Sequence, residues 1–536
     1  MTLQLHIVDL LALVLYFGGI AGMGIYFMRR NTSTEEYFVG GRSFMGWAVG
    51  LSMVGTSISS ITFLAYPADA YKTAWLRYIP NFMLPLGVFI AAYVFLPFFR
   101  RGKITSAYEY LENRFGPSIR VYGASVFMIA QLVRISMILY LVSMVVMELT
   151  GLPVIGCILI AGIFVGLYTV MGGINAVIWT DVLQTTVLVV GGILCIVIIV
   201  AKLPGGLSQI FAVASSEGKF AFSELVDGRL KPISWGFSLT KKTGLMMLFL
   251  GLTNWLSEYC GNQNVVQRYC TSKSAHEARK AMWVCAFASV PIWAFFMFLG
   301  TSLFVFFKTF PNPDAAAMLT GAKSAEQILP FFIIGYLPVG VKGIVIAAAL
   351  AAAMSSLDSS INAISTIGVV DIWRRHVVKD REDRYYLKVA WVVACGTGIS
   401  MIVGAIIFTF IDIKTLQDAG TIINSVLGAG LLGVYLLGFL TKKGDARAVG
   451  FGIVCTILFT VWALLVKFAA EPLIAHPSLG SFFSHILKVR FDTYYTIIVG
   501  NLVMFGVGFF VGTLLPRRDR DFTNLTVWTQ EKTPLD

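Results

Sequence analysis

The sequence predicts an all-α polytopic membrane protein, and three observations carry that prediction. Of the 536 residues, 57% are hydrophobic and 13% are charged, about half the charged share of an ordinary soluble domain. Mean hydropathy is +0.78. Apolar runs recur from Val8 to Leu515, more than one buried core can hide, so a water-soluble globule is excluded.

A crossing needs about 20 apolar residues, and that length places spans in order along the chain. The first, 7 to 28, lacks the basic start and small-residue cleavage site of a signal peptide and is read as a helix. Next come 44 to 71, 78 to 98, 119 to 148, 152 to 171 and 175 to 201. After a mixed loop at 202 to 242 follow 243 to 267, 281 to 307, 331 to 371, 386 to 411, 416 to 440, 446 to 467 and 490 to 515. The total is about 13 spans. The 331 to 371 segment is longer than one crossing needs, which leaves room for a separate interfacial helix.

The net charge of +12 is not one patch. Cations cluster in alternate loops: Arg29, Arg30 and Arg42; Arg100, Arg101, Lys103 and Arg114; Arg268, Lys273, Arg279 and Lys280; Arg374, Arg375, Lys379, Arg381 and Arg384; Lys442, Lys443 and Arg447; Arg517, Arg518 and Arg520. The positive-inside rule then puts the N-terminus outside and the C-terminus in the cytoplasm, and no nucleic-acid surface is expected. The seven cysteines show no CxxC spacing and the five histidines no HxxxH pairing, so no transition-metal centre is expected. No loop offers a nucleophile with a base, so an enzyme is not expected. The segment after Asp521 is too short for a signalling domain.

Polar groups are expensive inside a bilayer, so the informative residues are those a lipid-buried helix should not contain. Gly55-Thr56-Ser57-Ile58-Ser59-Ser60-Ile61-Thr62 weakens the second span at mid-depth. Asn254-Trp255-Leu256-Ser257-Glu258-Tyr259-Cys260-Gly261-Asn262-Gln263 does the same to the seventh. Paired interruptions five spans apart point to an inverted-repeat transporter with its site near the midplane. Ser355, Ser356, Asp358, Ser359 and Ser360 stack oxygens along one helix, a donor set for a hard cation such as Na⁺. Asp181 is a lone carboxylate in an apolar run. Arg134 lies about halfway along its span, either as a structural partner of an acid such as Glu148 or as the holder of a substrate carboxylate.

Four stretches carry a family resemblance: Thr34-Glu35-Glu36-Tyr37-Phe38-Val39-Gly40-Gly41-Arg42, Gly172 to Gln184, Asn262-Gln263 with Gln267-Arg268, and Ser355 to Ser360. With these the chain resembles, essentially end to end, the sodium/solute symporter family, which includes the sodium/glucose and sodium/sialic acid cotransporters. The resemblance implies a leucine-transporter-like fold in one transporter domain. An extra helix (7 to 28) precedes two five-helix inverted repeats (44 to 201 and 243 to 440), C-terminal helices (446 to 515) and a tail (516 to 536).

The same resemblance implies one or two Na⁺ as coupling ions. A first Na⁺ is implied at Gly55, Ile58, Ala352, Ser355 and Ser356. A second, where the family has one, falls on Asp181, Ser355, Asp358 and Ser359, with Asp358 departing from the family's hydroxyl. For substrate it implies Thr56, Ser57, Ser59, Ser60, Thr62, Asn81 and Arg134, closest in pattern to the bacterial sialic acid branch. Asn254, Glu258, Tyr259, Asn262 and Gln263 are cavity or gating candidates, with Glu258 an odd neighbour for an anion. The function implied is Na⁺-driven uptake of an acidic sugar such as N-acetylneuraminate, by a monomer in the inner membrane of a bacterium, contacting lipid. The alternative is a neutral sugar, polyol or monocarboxylate.

Overall fold

A computed structural model describes residues 5–102, 104–226, 229–410, 428, 430–468, 492, 494–516 and 521–531, without the side chains of 148, 149, 467 and 468. The Glu148 side chain, Lys103, Arg517, Arg518, Arg520 and positions 416 to 427 of an expected span therefore lie outside the described residues.

The described chain is helical apart from one antiparallel hairpin, Ser223–Val226 with Arg229–Pro232, in register Ser223 to Pro232. That hairpin is an exception to the all-α expectation. Nine helices among the described residues are long and apolar enough to cross a membrane, or ten if one bent pair counts as a span.

Helix α1 (Ile7–Met28) turns Leu11, Val14 and Leu15 outward and buries Tyr16, Ile20 and Gly24. Its Asp9 is buried, yet its Oδ1 accepts from the Gly340 and Gly343 amides at 2.8 Å each, at the start of α16 (Val341–Ile367). A carboxylate at a helix N-terminus meets unpaired N–H groups and the positive dipole end, which offsets its burial. Short α2 (Thr34–Val39) is capped by Ser33 and ended by left-handed Gly40.

The second expected span is two helices, α3 (Gly46–Ser57) and α4 (Ser60–Lys72), bent by 56°. Next, Trp75–Arg101 runs unevenly, with a π-turn at Ala91–Phe95. It is followed by α5 (Ala107–Phe115) and α6 (Pro117–Thr150). The two spans expected at 152 to 171 and 175 to 201 follow one another in α7 (Val154–Lys202), 49 residues that kink between them at Gly173. Straight, it would be about 73 Å long, over twice the hydrocarbon thickness. Gly173 breaks it at φ 55°, ψ −159°. A Cβ there would meet the Tyr37 ring at 2.7 Å, so backbone angle and space both ask for glycine.

The seventh span divides into α11 (Gly244–Gly261) and α12 (Gln263–Cys270). Between Lys202 and Gly244 the described residues form one helix, Gly206–Ser216, and the hairpin. The eighth is α13 (Ala275–Thr309). The long 331 to 371 segment resolves into α15 (Ile328–Tyr336) and α16, followed by a π-helical Gly368–Val377. Then come α17 (Asp383–Phe408) and the helices Leu431–Leu440, Ala446–Phe468 and Tyr495–Leu514.

 

Backbones approach closely where the bundle is tightest. A Cβ on Gly300 of α13 would lie 2.1 Å from the Pro67 carbonyl oxygen of α4, and one on Gly251 of α11 would lie 2.2 Å from that of Pro80. Neither contact is with a flexible side-chain tip, so backbone must move. Gly300→Ala is expected to lower the melting temperature through the roughly 1 to 3 kcal/mol typical of overpacking, at about 2 °C or less per kcal/mol in a chain this large. A variant with an unchanged melting temperature would show that α4 and α13 separate freely.

Candidate functional site

The site is built on the two broken helices. Ile58 (φ −102°, ψ 96°) and Ser59 (φ −98°, ψ −179°) are extended between α3 and α4. The break takes the last-turn carbonyls of α3, Gly55 among them, out of the helical ladder. Asn262 (φ −89°, ψ 110°) does the same between α11 and α12, and its Oδ1 accepts from the Asn264 amide at 2.9 Å.

Helix α16 faces the first break. A Cβ on Gly55 would lie 3.1 Å from Ser355 Oγ and 2.6 Å from Thr185 Oγ1. Ala352 is buried beside them on α16. Ser356 Oγ is buried and has no hydrogen-bond partner. A buried hydroxyl left unpaired is costly, so this orphan, next in sequence to the Ser355 that meets Gly55, is an oxygen free for the small hard cation implied at Gly55, Ile58, Ala352, Ser355 and Ser356. A Na⁺ bound there would supply positive charge between α3 and α16.

The second implied set fits less well. Asp181 and Asp358 are both fully buried, but the Asp181 oxygens are already engaged. Arg268 Nη2 donates to Asp181 Oδ2 at 2.8 Å, Ser52 Oγ to the same oxygen at 2.5 Å, and Ser355 Oγ to Oδ1 at 2.5 Å. Arg268 also donates to Ser52 Oγ (2.8 Å), the Asn264 carbonyl (2.6 Å) and Ser359 Oγ (2.5 Å). Its guanidinium stands where a metal ion on Asp181 would stand.

The substrate candidates divide. Ser59, Ser60 and Thr62 are buried around the first break, and Ser60 Oγ has no partner. Thr56 Oγ1 donates back to the Ser52 carbonyl at 3.0 Å, and Ser57 Oγ sits 3.9 Å from Cys285 Sγ. Asn81 donates to the Tyr66 hydroxyl at 2.8 Å. Arg134, half-buried on α6, has no hydrogen bond or ion pair among the described residues. Its charge acts on Glu258, which accepts from Asn262 Nδ2 at 2.6 Å. No bond among the described residues joins Arg134 to the hydroxyls of the first break.

Among the gating candidates, Asn254 is half-buried on α11, and the Tyr259 carbonyl accepts from the Tyr269 hydroxyl at 3.0 Å. Gln263 turns away to α5, accepting from the Ala107 amide (2.9 Å) and donating to the Thr105 carbonyl (2.8 Å).

Around this core, α2 latches the end of the bundle that carries the cationic loops. Gln267 donates to the Phe38 carbonyl (2.6 Å) and Thr366 Oγ1 (3.0 Å), and Asn175 to Asn31 Oδ1 (2.9 Å) and the Glu36 carbonyl (3.1 Å). The Thr32 amide and hydroxyl hold the Glu36 carboxyl below the usual carboxylate range. Toward the hairpin, buried Lys219 caps α4 through the Tyr71 and Thr73 carbonyls, at 2.7 and 2.9 Å, and burial pushes its ammonium down to about 8. A cavity of about 750 Å³ lined by Arg42, Glu109, Arg120, Arg374 and Asp383, among others, includes no residue of either break.

Broken helices around a buried polar core define a multi-spanning membrane transporter. The sodium:solute symporter family model matches residues 37–454, and the chain belongs to that family. It is 33% identical over 461 residues to the sodium/sialic acid symporter SiaT of Proteus mirabilis, covering 85% of this chain and 90% of the relative. To the sodium/sialic acid symporter NanT of Aliivibrio fischeri it is 32% identical over 454 residues, covering 84% and 86%. A solved structure described as the substrate-bound outward-open state of a Na⁺-coupled sialic acid symporter superposes with a TM-score of 0.82 at 29% identity, covering 95% of this chain and 98% of that one. A nucleobase-cation-symport-1 family transporter shares the fold alone, at TM-score 0.50 and 16% identity over 91% of this chain and 96% of that one.

Proposed function

We propose that this chain couples inward Na⁺ movement to uptake of sialic acid, or a closely related acidic sugar, across a bacterial inner membrane by alternating access. One observation carries the substrate class: Arg134 places a guanidinium within a span with no carboxylate bonded to it among the described residues. A half-buried cation with no carboxylate bonded to it among the described residues suits an anionic ligand, and a planar bidentate fork suits a carboxylate. The orphaned Ser60 hydroxyl, with Ser59 and Thr62, supplies the neutral donors for the same ligand. Its similarity to two sodium/sialic acid symporters supports the reading.

In this proposal the basic loops face the cytoplasm. The broken helices then hold corresponding places in two inverted five-helix repeats, 44 to 201 and 243 to 440. Arg268, Gln267 and α2 close the cytoplasmic end, and opening breaks those bonds after Na⁺ and solute have bound. Glu258 is held by Asn262 and counterbalances Arg134 when no solute is present.

Uptake of labelled N-acetylneuraminate into proteoliposomes, with NaCl or choline chloride outside, tests the function. Ser356→Ala tests the ion set. It removes one oxygen donor, and coupling of about 1 to 3 kcal/mol between ion and solute passes the loss on. Half-saturating Na⁺ is expected to rise and solute affinity to fall 5- to 150-fold or so, as roughly that coupling sets. Uptake equally fast in choline would refute Na⁺ coupling, and an unchanged Ser356→Ala would refute the ion set.

A further inference from the structure

The cavity at the basic end of the bundle takes no part in the site above. It encloses about 750 Å³ between α2, α17, the π-helical Gly368–Val377 and the foot of α6. Among the described residues six cations line it, and half of them are already answered. Arg42 lies 3.7 Å from Glu35 and donates to the Ile104 and Cys270 carbonyls. Arg120 donates to Asp371 (2.5 Å) and Glu112 (2.7 Å), and Arg375 donates to the same glutamate at 3.0 Å. Arg374, Lys379 and Arg381 are exposed, and among the described residues no carboxylate pairs with them. The Arg374 guanidinium lies 5.1 Å over the Tyr386 ring, a stack that occupies its face and leaves its N–H edge free to donate.

The acids on the same walls are taken. Asp383 accepts from the Thr34 amide (2.7 Å) and hydroxyl (2.5 Å), and Glu109 from the Thr105 and Ser106 amides at 2.8 Å each. Among the described residues only Asp380 is left to answer three cations, so the cavity carries an excess of positive charge that attracts an anion. A second cavity, of about 280 Å³, lies between α6, α16 and α17 and is walled by Met128, Ile129, Leu132, Ile364, Val393 and Gly396. Its Thr397 hydroxyl is spent on the Val393 carbonyl at 2.8 Å, and a Cβ on Gly396 would meet open space. The same helices join the two cavities. Tyr386 and Val393 on α17, like Arg120 and Met128 on α6, are two turns apart, so the apolar groove begins about 10 Å farther into the bilayer than the basic cavity.

We infer that the two cavities together hold one anionic glycerophospholipid from the leaflet beside the basic loops, its phosphate on Arg374, Lys379 and Arg381 and an acyl chain in the groove between α6, α16 and α17. Guanidinium and ammonium donors suit a phosphate, and a zwitterionic lipid, which brings its own ammonium, leaves the excess charge unanswered. A soluble anion satisfies the cations but leaves the groove unused. The inference depends on neither the solute nor the ion proposed above.

Native mass spectrometry of the purified full-length protein, titrated in detergent with dioleoylphosphatidylglycerol, dioleoylphosphatidylethanolamine or glycerol 3-phosphate, counts bound molecules and separates a lipid from a free phosphate. One phosphatidylglycerol per chain is expected, held more tightly than phosphatidylethanolamine, with glycerol 3-phosphate far weaker than either. Arg374→Gln with Lys379→Gln and Arg381→Gln is expected to abolish that preference, a loss of about fivefold for each cation neutralised. Lys273→Gln with Lys280→Gln, exposed cations of another basic loop, is expected to keep it. Gly396→Leu fills the groove and is expected to weaken phosphatidylglycerol by about fourfold for each methylene it excludes. Thermal profiles establish that each variant is folded. Equal binding of the two lipids, a preference that survives in the triple variant or vanishes in the Lys273 and Lys280 variant, or glycerol 3-phosphate bound as tightly as phosphatidylglycerol would overturn the site, the last by making it one for a soluble anion. Phosphatidylglycerol bound equally well by Gly396→Leu would take the acyl chain out of the groove and overturn the lipid assignment.

Discussion

Arg268→Ala is expected to destabilise the protein by about 3 to 5 kcal/mol, the scale of leaving a buried charge without its partner. The loss falls on four elements at once: Asp181 on α7, Ser52 on α3, Ser359 on α16 and the Asn264 carbonyl on α12 all bond this guanidinium. The signature should be reduced expression and a lower melting temperature without solute. Replacing both charges, as in Asp181→Leu with Arg268→Met, is expected to recover much of the melting temperature, because a buried pair exchanged for apolar volume is often neutral or stabilising. That double variant should still transport poorly, since it lacks the bonds that close the basic end. An Arg268→Ala protein with the wild-type melting temperature would show that Asp181 finds another partner, and the role of Arg268 as its counter-ion would fall.

Arg268 also shows where sequence reading stops. A hydropathy window ends the seventh span at 267, so Arg268 reads as a loop cation beside Lys273 and Arg279. In the structure α12 continues to Cys270 and Arg268 is 1% exposed. The rule that singles out Arg134, that a charge within a span needs a reason, applies equally to Arg268 once the break at Asn262 is placed. The breaks themselves were legible, because Gly55 to Thr62 and Asn254 to Gln263 violate the local demand for apolar residues. What those polar side chains bond was not. Gln263 lies in the second broken stretch yet serves α5, a partner more than 150 residues away that no local pattern encodes. The long spans were legible by length, and the boundary expected between 171 and 175 falls at the kink of α7 on Gly173, whose positive φ no hydropathy scale registers.

Arg134 decides between an acidic and a neutral solute. A guanidinium within a span is stabilised either by an internal acid or by an anionic ligand when it arrives. Glu258 lies within its electrostatic reach but gives its bond to Asn262. If Arg134 holds a substrate carboxylate, Arg134→Lys keeps the charge and loses the planar fork. The variant should fold, with an unchanged melting temperature in the absence of solute, while solute affinity falls by about 2 to 5 kcal/mol, the scale of breaking a buried charge pair. Calorimetry with N-acetylneuraminate in NaCl measures that loss directly. Glu258→Gln serves as the control: it removes the competing acid, so affinity for the anion should hold or rise, whereas an essential Arg134–Glu258 pair would make the same change destabilising. A folded Arg134→Ala protein that transports N-acetylneuraminate with the wild-type KM would remove the arginine from the substrate site and favour recognition through the hydroxyls of Ser59, Ser60 and Thr62 alone, the pattern a neutral sugar requires.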